Sequence, residues 1–413
     1  MAIILARQSK KEDVEKVRWR GYQQALDLLR SHLESQKQLR TDIHYLIEVR
    51  GLLGLGHIFS HEGNSLRALT HYEIAQGILR TAIQEQNQAV NEIIYTLRSQ
   101  GRSFLNLERP EKAIEFFRRA LDELNGSSDN HREIRSMLYG DLVNAYRKKA
   151  KKHGGMESAK ALNEASLCLE EARKIVESYL NKRAEAYFYY IKGQFLRAHY
   201  QDAQDHEGAK NAYLKSHQIL KKIGFQYQLG LSTLALGKSY QGLGSFDDAL
   251  KYYRESIAIF EVCGHKRPLI HAYNALADLY FSYDDFGQAR SFYEKARDLI
   301  DMSRNELITA MRWFIPHDRA TGETFIGLGR IHLYGKNFEE ASRFFNDAID
   351  IFDVIEHPFN KARAYYFLAK TRLAQEQKYP ALNYFSLAKG LFNQVDANKD
   401  VVKCIEEINN LNL

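Results

Sequence analysis

Two histidines four residues apart, His57 and His61, have the spacing at which imidazoles on one helical face can bind a common metal ion. A zinc-protease helix of this kind also has a glutamate directly after its first histidine, in the pattern HExxH, and none follows His57. No third ligand is evident near the pair. The sequence therefore favours groove-lining or partly buried histidines at these positions, and no metal is predicted.

Other short motifs also fail to indicate catalysis. The stretch GLLGLGH, beginning at Gly51, has the glycine content of a phosphate-binding loop but follows no strand and lacks the GKS ending, so Gly56 is better explained as a helix-packing residue. The cysteines Cys168, Cys263 and Cys404 form no CxxC pair, which leaves zinc and redox motifs unsupported. Without a GxSxG elbow, a kinase signature or a cysteine–histidine signature, we predict no enzymatic activity and no cofactor.

The charge balance permits acidic partners without requiring them. Lysine and arginine number 58 against 52 aspartates and glutamates, giving a net charge of +6, whereas dedicated nucleic-acid binders are usually more basic. The run YRKKAKKHGG, Tyr146–Gly155, contains five cations and no acid. Such a run could bind phosphate or an acidic tail. The favoured interpretation is a solvated helix end that enters an insertion loop.

Apolar segments are short throughout the chain. The apolar run in the N-terminal MAIILARQSKK is shorter than the core of a signal peptide, and no stretch approaches the roughly 20 apolar residues that cross a bilayer. Together with the scattered cysteines, this composition predicts a reduced, cytoplasmic protein without membrane contact. The 5 prolines are few enough for long helices to run uninterrupted.

Small and aromatic residues return along the chain at fixed steps. In one stretch, Gly237 is followed by Tyr240, Ala249, Tyr253 and Ser256, at steps of 3, 9, 4 and 3. The same steps recur at Gly56, Phe59, Ala68, Tyr72 and Ala75; at Gly101, Phe104, Ala113, Phe117 and Ala120; at Ala277, Tyr280, Ala289, Tyr293 and Ala296; at Gly329, His332, Ala341, Phe345 and Ala348; and at Ala369, Arg372, Ala381, Phe385 and Ala388. Two degenerate copies keep Tyr146, Ala165, Leu169 and Ala172, and Gly193, Leu196, Ala209, Tyr213 and Ser216. The pattern therefore occurs in eight copies.

This spacing is typical of a helical hairpin. The small residue that opens each copy, which we call the slot, lies with the residue three positions later on one face of a first helix, and the later steps form a stripe on a second helix. Turn formers such as Gly242 and Asp247 occupy the long middle step, where a loop and an N-cap belong. Small residues let two helices approach closely, and aromatics fill the space beside them. One hairpin cannot bury both of its faces, so the copies must stack.

This pattern resembles the tetratricopeptide repeat (TPR) over residues 42–395. In each copy the stripe on the second helix begins with an alanine, such as Ala68 in the first copy. From one copy to the next, these alanines are separated by 45, 52, 44, 40, 40, 52 and 40 residues. The usual repeat has roughly 34 residues. The longer repeats are similar to those of kinesin light chain, LGN-type scaffolds and bacterial peptide-pheromone receptors. The resemblance implies an all-α, right-handed α-solenoid of about eight helical hairpins. An N-terminal helix in residues 1–41 and a C-terminal capping helix in residues 396–413 would pack on its ends.

In this fold the first helices line a concave groove, and the residue after each slot is expected to point into it. Other residues on the same helical face extend the set. The predicted groove residues are Arg98, Arg102, Asn106, Asn144, Tyr190, Gln194, Lys238, Asn274, Asp278, Arg330, Tyr366 and Lys370. Asparagine can hold peptide amides, arginine can bind a carboxylate, and tyrosine can cover apolar side chains. The mixture suits an extended peptide, and its cations favour an acidic one.

Three functions are compatible with such a groove. The first is a non-enzymatic scaffold or adaptor that binds a peptide or protein segment, which the resemblance also implies. The second is a peptide-sensing regulator that acts through a protein partner, because no N-terminal helix-turn-helix is apparent. The third, and least supported, is a nucleic-acid binder whose affinity would fall steeply with salt. The irregular segment Ile308–Thr321, which includes Trp313, is expected to pack on adjacent repeats, with a partner or dimer contact as the alternative.

Overall fold

The computed structural model describes residue 31 and residues 42–61, 65–81, 86–125, 131–199, 203–308 and 319–411. Within these ranges the chain forms helices and turns and no strand. The all-α fold expected from the sequence is therefore confirmed. The N-terminal helix predicted in residues 1–41 and the irregular segment around Trp313 lie almost entirely outside the described residues.

The chain divides into two compact units, Met1–Asp141 and Leu142–Leu413. The described helices of the first unit are α1 (Asp42–His61), α2 (Ser65–Thr81), α3 (Gln86–Asn106), α4 (Pro110–Asn125) and the first part of α5 (Arg132–Lys152). The second unit holds the rest of α5 and α6 (Gly155–Ser178), α7 (Lys182–His199), α8 (Ala203–Ile223), α9 (Gln226–Gly242), α10 (Phe246–Cys263), α11 (Lys266–Ser282), α12 (Phe286–Ile308), α13 (Arg319–Tyr334), α14 (Phe338–Val354), α15 (Pro358–Ala374), α16 (Lys378–Gln394) and α17 (Asn398–Asn409). The predicted division at residues 41 and 395 stays a prediction.

Consecutive helices pack as hairpins in both units. In the first unit, α1 pairs with α2 and α3 with α4; in the second, the pairs are α7 with α8, α9 with α10, α11 with α12, α13 with α14, and α15 with α16. In the second unit, each second helix from α8 to α14 also contacts the next first helix, and the first helices contact one another in series from α7 to α15. These first helices therefore form one continuous layer.

Close packing explains the small residue in each slot. A Cβ atom on Gly237 would lie 2.5 Å from the Tyr253 ring of the partner helix, and one on Gly329 would lie 2.5 Å from the Phe345 ring. Both rings are fully buried. At these two slots only glycine leaves room for the ring, and the repeating pattern belongs to the core between paired helices.

The connection between α5 and α6 corrects one expectation. Helix α5 continues through the cationic run to Lys152 and α6 begins at Gly155, so the predicted insertion loop does not exist. The Lys152 ammonium lies 2.8 Å from the Glu356 carboxylate, and the backbone N–H of Gly155 donates to the Asp396 carboxylate. Helix α6 packs on α7. The end of the run is therefore attached to turns of the later hairpins.

Candidate functional site

A cavity of about 480 Å³ opens on the first-helix layer of the second unit. Its volume lies in the range of ligand-binding clefts, roughly 300–1,000 Å³. The lining residues come mainly from α7, α9, α11, α13 and α15 and are Arg197, Lys238, Gln241, Gly242, Tyr253, His271, Asn274, Ala275, Asp278, Glu323, Ile326, Gly327, Arg330 and Arg363. Four of the twelve predicted groove residues are in this set.

Three of these four predicted residues are placed in the cavity lining by their position relative to the slot. Lys238, Asp278 and Arg330 each directly follow the slot of their copy, and all three line the cavity. The slot faces the paired second helix, as Gly237 does toward Tyr253, and the next residue is rotated by about 100° around the helix toward the open side. Hairpin packing thus directs these three residues into the cavity.

The Asp278 side of the cavity is internally paired. The Arg330 guanidinium donates to the Asp278 carboxylate at 2.9 Å, and the buried Tyr293 hydroxyl donates to the same oxygen at 2.7 Å. Arg330 also lies over the Phe281 ring, 3.8 Å from its centroid. These contacts hold both charged side chains in fixed positions at the cavity wall.

Side-chain amides in the cavity wall also form hydrogen bonds. The Nδ2 group of Asn274 donates to the Ala320 carbonyl at 3.0 Å, and its Oδ1 accepts from the Thr324 hydroxyl at 3.0 Å. Gln241 Oε1 accepts from the Tyr253 hydroxyl at 2.6 Å, which leaves its NH₂ group available. Asn274 therefore links two helices, while Gln241 can still donate to a ligand.

Neighbouring cations change the pKa values of two other lining residues. Burial, together with the neighbouring Arg197 guanidinium, lowers the pKa of the Lys238 ammonium to about 8. Burial, followed by Arg319 and then Lys238, holds the pKa of the His271 imidazole well below its usual 6.5, so this ring is neutral at pH 7.

Glu323 is the carboxylate within this cationic group. Burial raises the pKa of the Glu323 carboxyl, but the neighbouring cations, Arg319 and Lys238 first among them, lower it by more. The pKa of Glu323 is therefore below its usual value. Glu323 Oε1 lies 3.1 Å from Arg319 Nε, and its Oε2 lies 3.9 Å from His271 Nδ1. The ionised carboxylate is thus paired mainly with Arg319.

Three predicted groove residues lie on α5 and α7, outside the cavity lining. The Tyr190 ring packs 5.9 Å from the Tyr213 ring, and burial raises its pKa well above its usual value. Asn144 Oδ1 accepts from the Arg147 guanidinium at 2.7 Å. Gln194 is partly buried.

Arg98 and Arg102 belong to the first unit and share one carboxylate. Arg98 Nε lies 2.5 Å from Asp141 Oδ2, and Arg102 Nη2 lies 3.1 Å from Oδ1 of the same residue. The Arg98 and Asp141 side chains are only 10% and 3% exposed, whereas that of Arg102 is 47% exposed. Asn106, at the end of α3, is partly buried. Arg102 is therefore the more accessible of the two arginines.

The last two predicted residues, Tyr366 and Lys370, face the C-terminal helix. Both donate to Glu407 of α17, at 3.2 and 2.9 Å. Cys404 of the same helix is fully buried against α15 and α16. An acidic residue of the chain itself therefore occupies this position.

Three of the lining residues that sequence reasoning missed share one position in the repeat. His271, Glu323 and Arg363 each stand seven positions before the residue that follows the slot, at 278, 330 and 370. Seven residues are about two helical turns, so these side chains lie on the same face. Extending the predicted face by two turns toward each helix N-terminus would have found them.

Only His57 of the histidine pair near the start has a described side chain. His57 Nε2 lies 3.0 Å from the Ser99 hydroxyl, and the side chain of His61 lies outside the described residues. Among the described residues, no group of three or more His, Cys, Asp or Glu side chains is arranged to hold a metal ion. None of the helices in the described ranges is long and apolar enough to cross a membrane.

Comparison with known families supports the repeat assignment. Tetratricopeptide repeat models match residues 228–302 and residues 99–123. The first match spans α9 to α12, which form part of the cavity wall, and the second spans the α3–α4 hairpin. The protein therefore contains tetratricopeptide repeats. No curated protein sequence matches the chain.

Solved structures share this fold at low sequence identity. A STAND signal-transduction ATPase with a tetratricopeptide repeat sensor, from Pyrococcus horikoshii, aligns with a TM-score of 0.53 and 18% identity, over 96% of this chain and 56% of that one. This chain thus spans just over half of that ATPase. Aspartyl phosphate phosphatase F from Bacillus subtilis aligns with a TM-score of 0.53 and 14% identity, over 90% and 89% of the two chains. NprR in complex with its cognate peptide NprX aligns with a TM-score of 0.52 and 14% identity, over 79% and 84%.

Proposed function

We propose that the second unit is a non-enzymatic interaction module that binds a peptide or an extended protein segment in the cavity lined by α7, α9, α11, α13 and α15. The observation that carries this proposal is the shared cavity. Helical residues of the same register, from consecutive repeats, supply both charged and amide groups to one space of about 480 Å³. A peptide presents backbone amides and side chains at regular intervals, which such a series of groups can meet.

The charge of the lining favours an acidic ligand. Arg197, Lys238, Arg330 and Arg363 face the cavity together with two carboxylates, Asp278 and Glu323. The cations exceed the carboxylates by two, and His271 adds no charge at pH 7. A ligand with carboxylate groups would balance this excess in a site partly shielded from water.

The solved neighbours support a peptide ligand by analogy. NprR shares the fold, and its structure contains its cognate peptide NprX. The present chain differs from NprR at most positions, so the analogy concerns the type of ligand rather than its sequence. The cavity residues of this chain are the basis for its specificity.

The test is affinity selection from a synthetic pool of random decapeptides, with retained peptides identified by mass spectrometry. The wild-type chain is compared with Arg363→Glu, which reverses one lining charge. The matched control is Arg343→Glu, because Arg343 is 64% exposed on the second helix α14. We expect the wild type and the control to retain the same acidic peptides and Arg363→Glu to lose them. If all three proteins retain identical peptides, or the wild type retains none, the proposal is wrong.

A second proposal is that the bound peptide acts as a signal and that the module regulates a protein partner. It is supported by the STAND protein, in which tetratricopeptide repeats form a sensor. The measurement is hydrogen exchange with and without a selected peptide. Sensing predicts changed protection in hairpins that do not line the cavity, whereas protection limited to the lining helices would contradict it.

A further inference from the structure

The turn between α5 and α6 is bonded to two helix connections that lie much later in the chain. Lys152, the last residue of α5, lies 2.8 Å from the Glu356 carboxylate, 204 residues away. The backbone N–H of Gly155 donates to the Asp396 carboxylate, 241 residues away. Glu356 is the middle residue between α14 and α15, and Asp396 is the middle residue between α16 and α17. One turn therefore contacts equivalent points of two later connections.

The backbone of this turn also lies directly on the later connections. A Cβ atom on Gly154 would lie 2.8 Å from the Gln394 carbonyl oxygen and 2.9 Å from the Asp396 carboxylate. Any larger residue at position 154 would therefore push the two surfaces apart. A cavity of about 420 Å³, with Phe352 and Leu391 in its lining, remains beside the contact. The two surfaces thus meet at a few points and do not form a packed core.

The contact joins turns rather than packed helices. In the part of the chain that the structure describes, α6 packs on α7 and has no extensive packing with α14, α15 or α16. The Lys152 and Glu356 side chains are 23% and 68% exposed. Exposed ion pairs contribute little stability and are screened by salt. Breaking the contact should therefore cost much less than unfolding hairpins whose cores hold fully buried rings such as Tyr253 and Phe345.

Charged side chains of α5 face helices from both ends of the second unit. Burial, followed by Arg197 of α7 and also by Arg319 of α13, lowers the pKa of the Arg147 guanidinium to about 10. Lys148 contributes, after burial and three other cations, to the lowered pKa of His271 on α11. These effects require α5 to lie near α7, α11 and α13 at once. The first helices of the second unit therefore surround the cavity.

We propose that the α5–α6 turn is a latch, which closes the second unit into a ring around the cavity lined by α7, α9, α11, α13 and α15 and opens while the hairpins stay folded. With the latch open, an extended chain can enter the cavity from the side. With the latch closed, it must enter through an end of the ring. The latch goes beyond the proposed function, because it is a property of the ligand-free chain.

Hydrogen exchange at the Gly155 amide tests the latch directly, because this N–H is bonded across the contact. The chain is isotopically labelled at glycine and followed by NMR without ligand. The proteins are the wild type, Lys152→Glu, Glu356→Lys and the double variant that exchanges the two charges. Lysine suits position 356, since Lys336 has a similar left-handed backbone, with φ of 58° against 50°. The matched control is Lys222→Glu, on the exposed surface of α8, and circular dichroism checks helicity.

We expect each single reversal to speed exchange at Gly155 about fivefold, because an ion pair is replaced by two like charges. The double variant should return to within about twofold of the wild type, since the pair is restored. Lys222→Glu should exchange as the wild type does. The amides of Gly237 and Gly329, inside α9 and α13, should keep their wild-type rates in every variant, because the hairpins stay folded.

A steric variant opens the latch without changing its charge. Gly154→Ala would place its methyl group against the Gln394 carbonyl and should also speed exchange at Gly155, after correction for the intrinsic rate. Its matched control is Gly390→Ala, whose Cβ meets nothing within 4 Å and which should have no effect.

Three results would overturn the latch. The first is unchanged exchange at Gly155 in both single reversals, and the second is a double variant that exchanges as fast as they do. The third is faster exchange at Gly237 and Gly329 whenever Gly155 exchanges faster, which would mean unfolding of the unit. None of these results bears on peptide binding, so the proposed function is tested separately.

Discussion

Replacing the slot glycine at position 237 by alanine tests the packing that generates the repeat. The new Cβ would lie 2.5 Å from Tyr253 Cδ1, whereas ordinary contacts begin at 3.4 Å, so the ring or the helix must move by about 0.9 Å. Tyr253 has little freedom to move because its ring is fully buried and its hydroxyl is bonded to Gln241.

Two opposing effects set the magnitude. Overpacking a core costs about 1–3 kcal/mol, while alanine gains about 0.5–1 kcal/mol over glycine inside a helix. We therefore expect Gly237→Ala to lower the free energy of unfolding by about 1–2 kcal/mol. The matched control is Gly390→Ala in α16, where a Cβ meets nothing within 4 Å and only the helix gain, about 0.5–1 kcal/mol, applies. The two substitutions should change stability in opposite directions.

Urea unfolding followed by circular dichroism gives the change for each variant, and hydrogen exchange in α9 and α10 locates it. The second readout is needed because repeat arrays do not always unfold as one unit. Stabilisation by Gly237→Ala equal to that by Gly390→Ala would refute the reasoning, since it would show that the Tyr253 ring has room for a methyl group.

Three further predictions concern charged and polar groups. Lys238→Met should stabilise the ligand-free protein at pH 7, since the native ammonium has its pKa lowered to about 8 from 10.5. Between pH 8 and pH 10.5 the unfolded chain binds more protons than the native one, so the stability of the wild type rises with pH. The difference in unfolding free energy between Lys238→Met and the wild type should therefore shrink over this range. A difference in urea unfolding that stays constant with pH would contradict this. Tyr293→Phe removes the 2.7 Å bond to Asp278 and should lower the unfolding free energy by about 1 kcal/mol, and an unchanged urea midpoint would argue against that bond. Asp141→Asn should destabilise the first unit by about 3 kcal/mol because Arg98 is buried beside it, and unchanged hydrogen exchange in α3 would show the pair to be unimportant.

Local spacing placed four of the twelve predicted residues in the lining of the cavity. The residue after the slot is fixed once the slot packs on its partner helix, which is why Lys238, Asp278 and Arg330 were found. The same register also contains His271 and Glu323, seven residues earlier, although the prediction did not extend so far. Helical geometry alone, without the tertiary structure, would have identified these two residues.

Pairing among the predicted residues could not be obtained in this way. Asp141 engages Arg98 from 43 residues away, and Glu407 engages Lys370 from 37 residues away. Each partner comes from a different helix, and a periodic pattern does not specify how neighbouring helices are rotated against one another. The α5–α6 connection is a similar case, because the length of the cationic run did not indicate that its end meets the turn at Glu356.

The sequence by itself determined the helices, their pairing into hairpins and the small residues between them. These features depend on side-chain size and on spacing within one repeat, and both are local. Only the tertiary structure decided that Asn274 links two helices, that Asp278 is already paired, and that Lys238 faces the cavity without an ion-pair partner among the described residues. The free energy of a charged or polar side chain depends on groups supplied by several helices, and their distances are set when the hairpins stack.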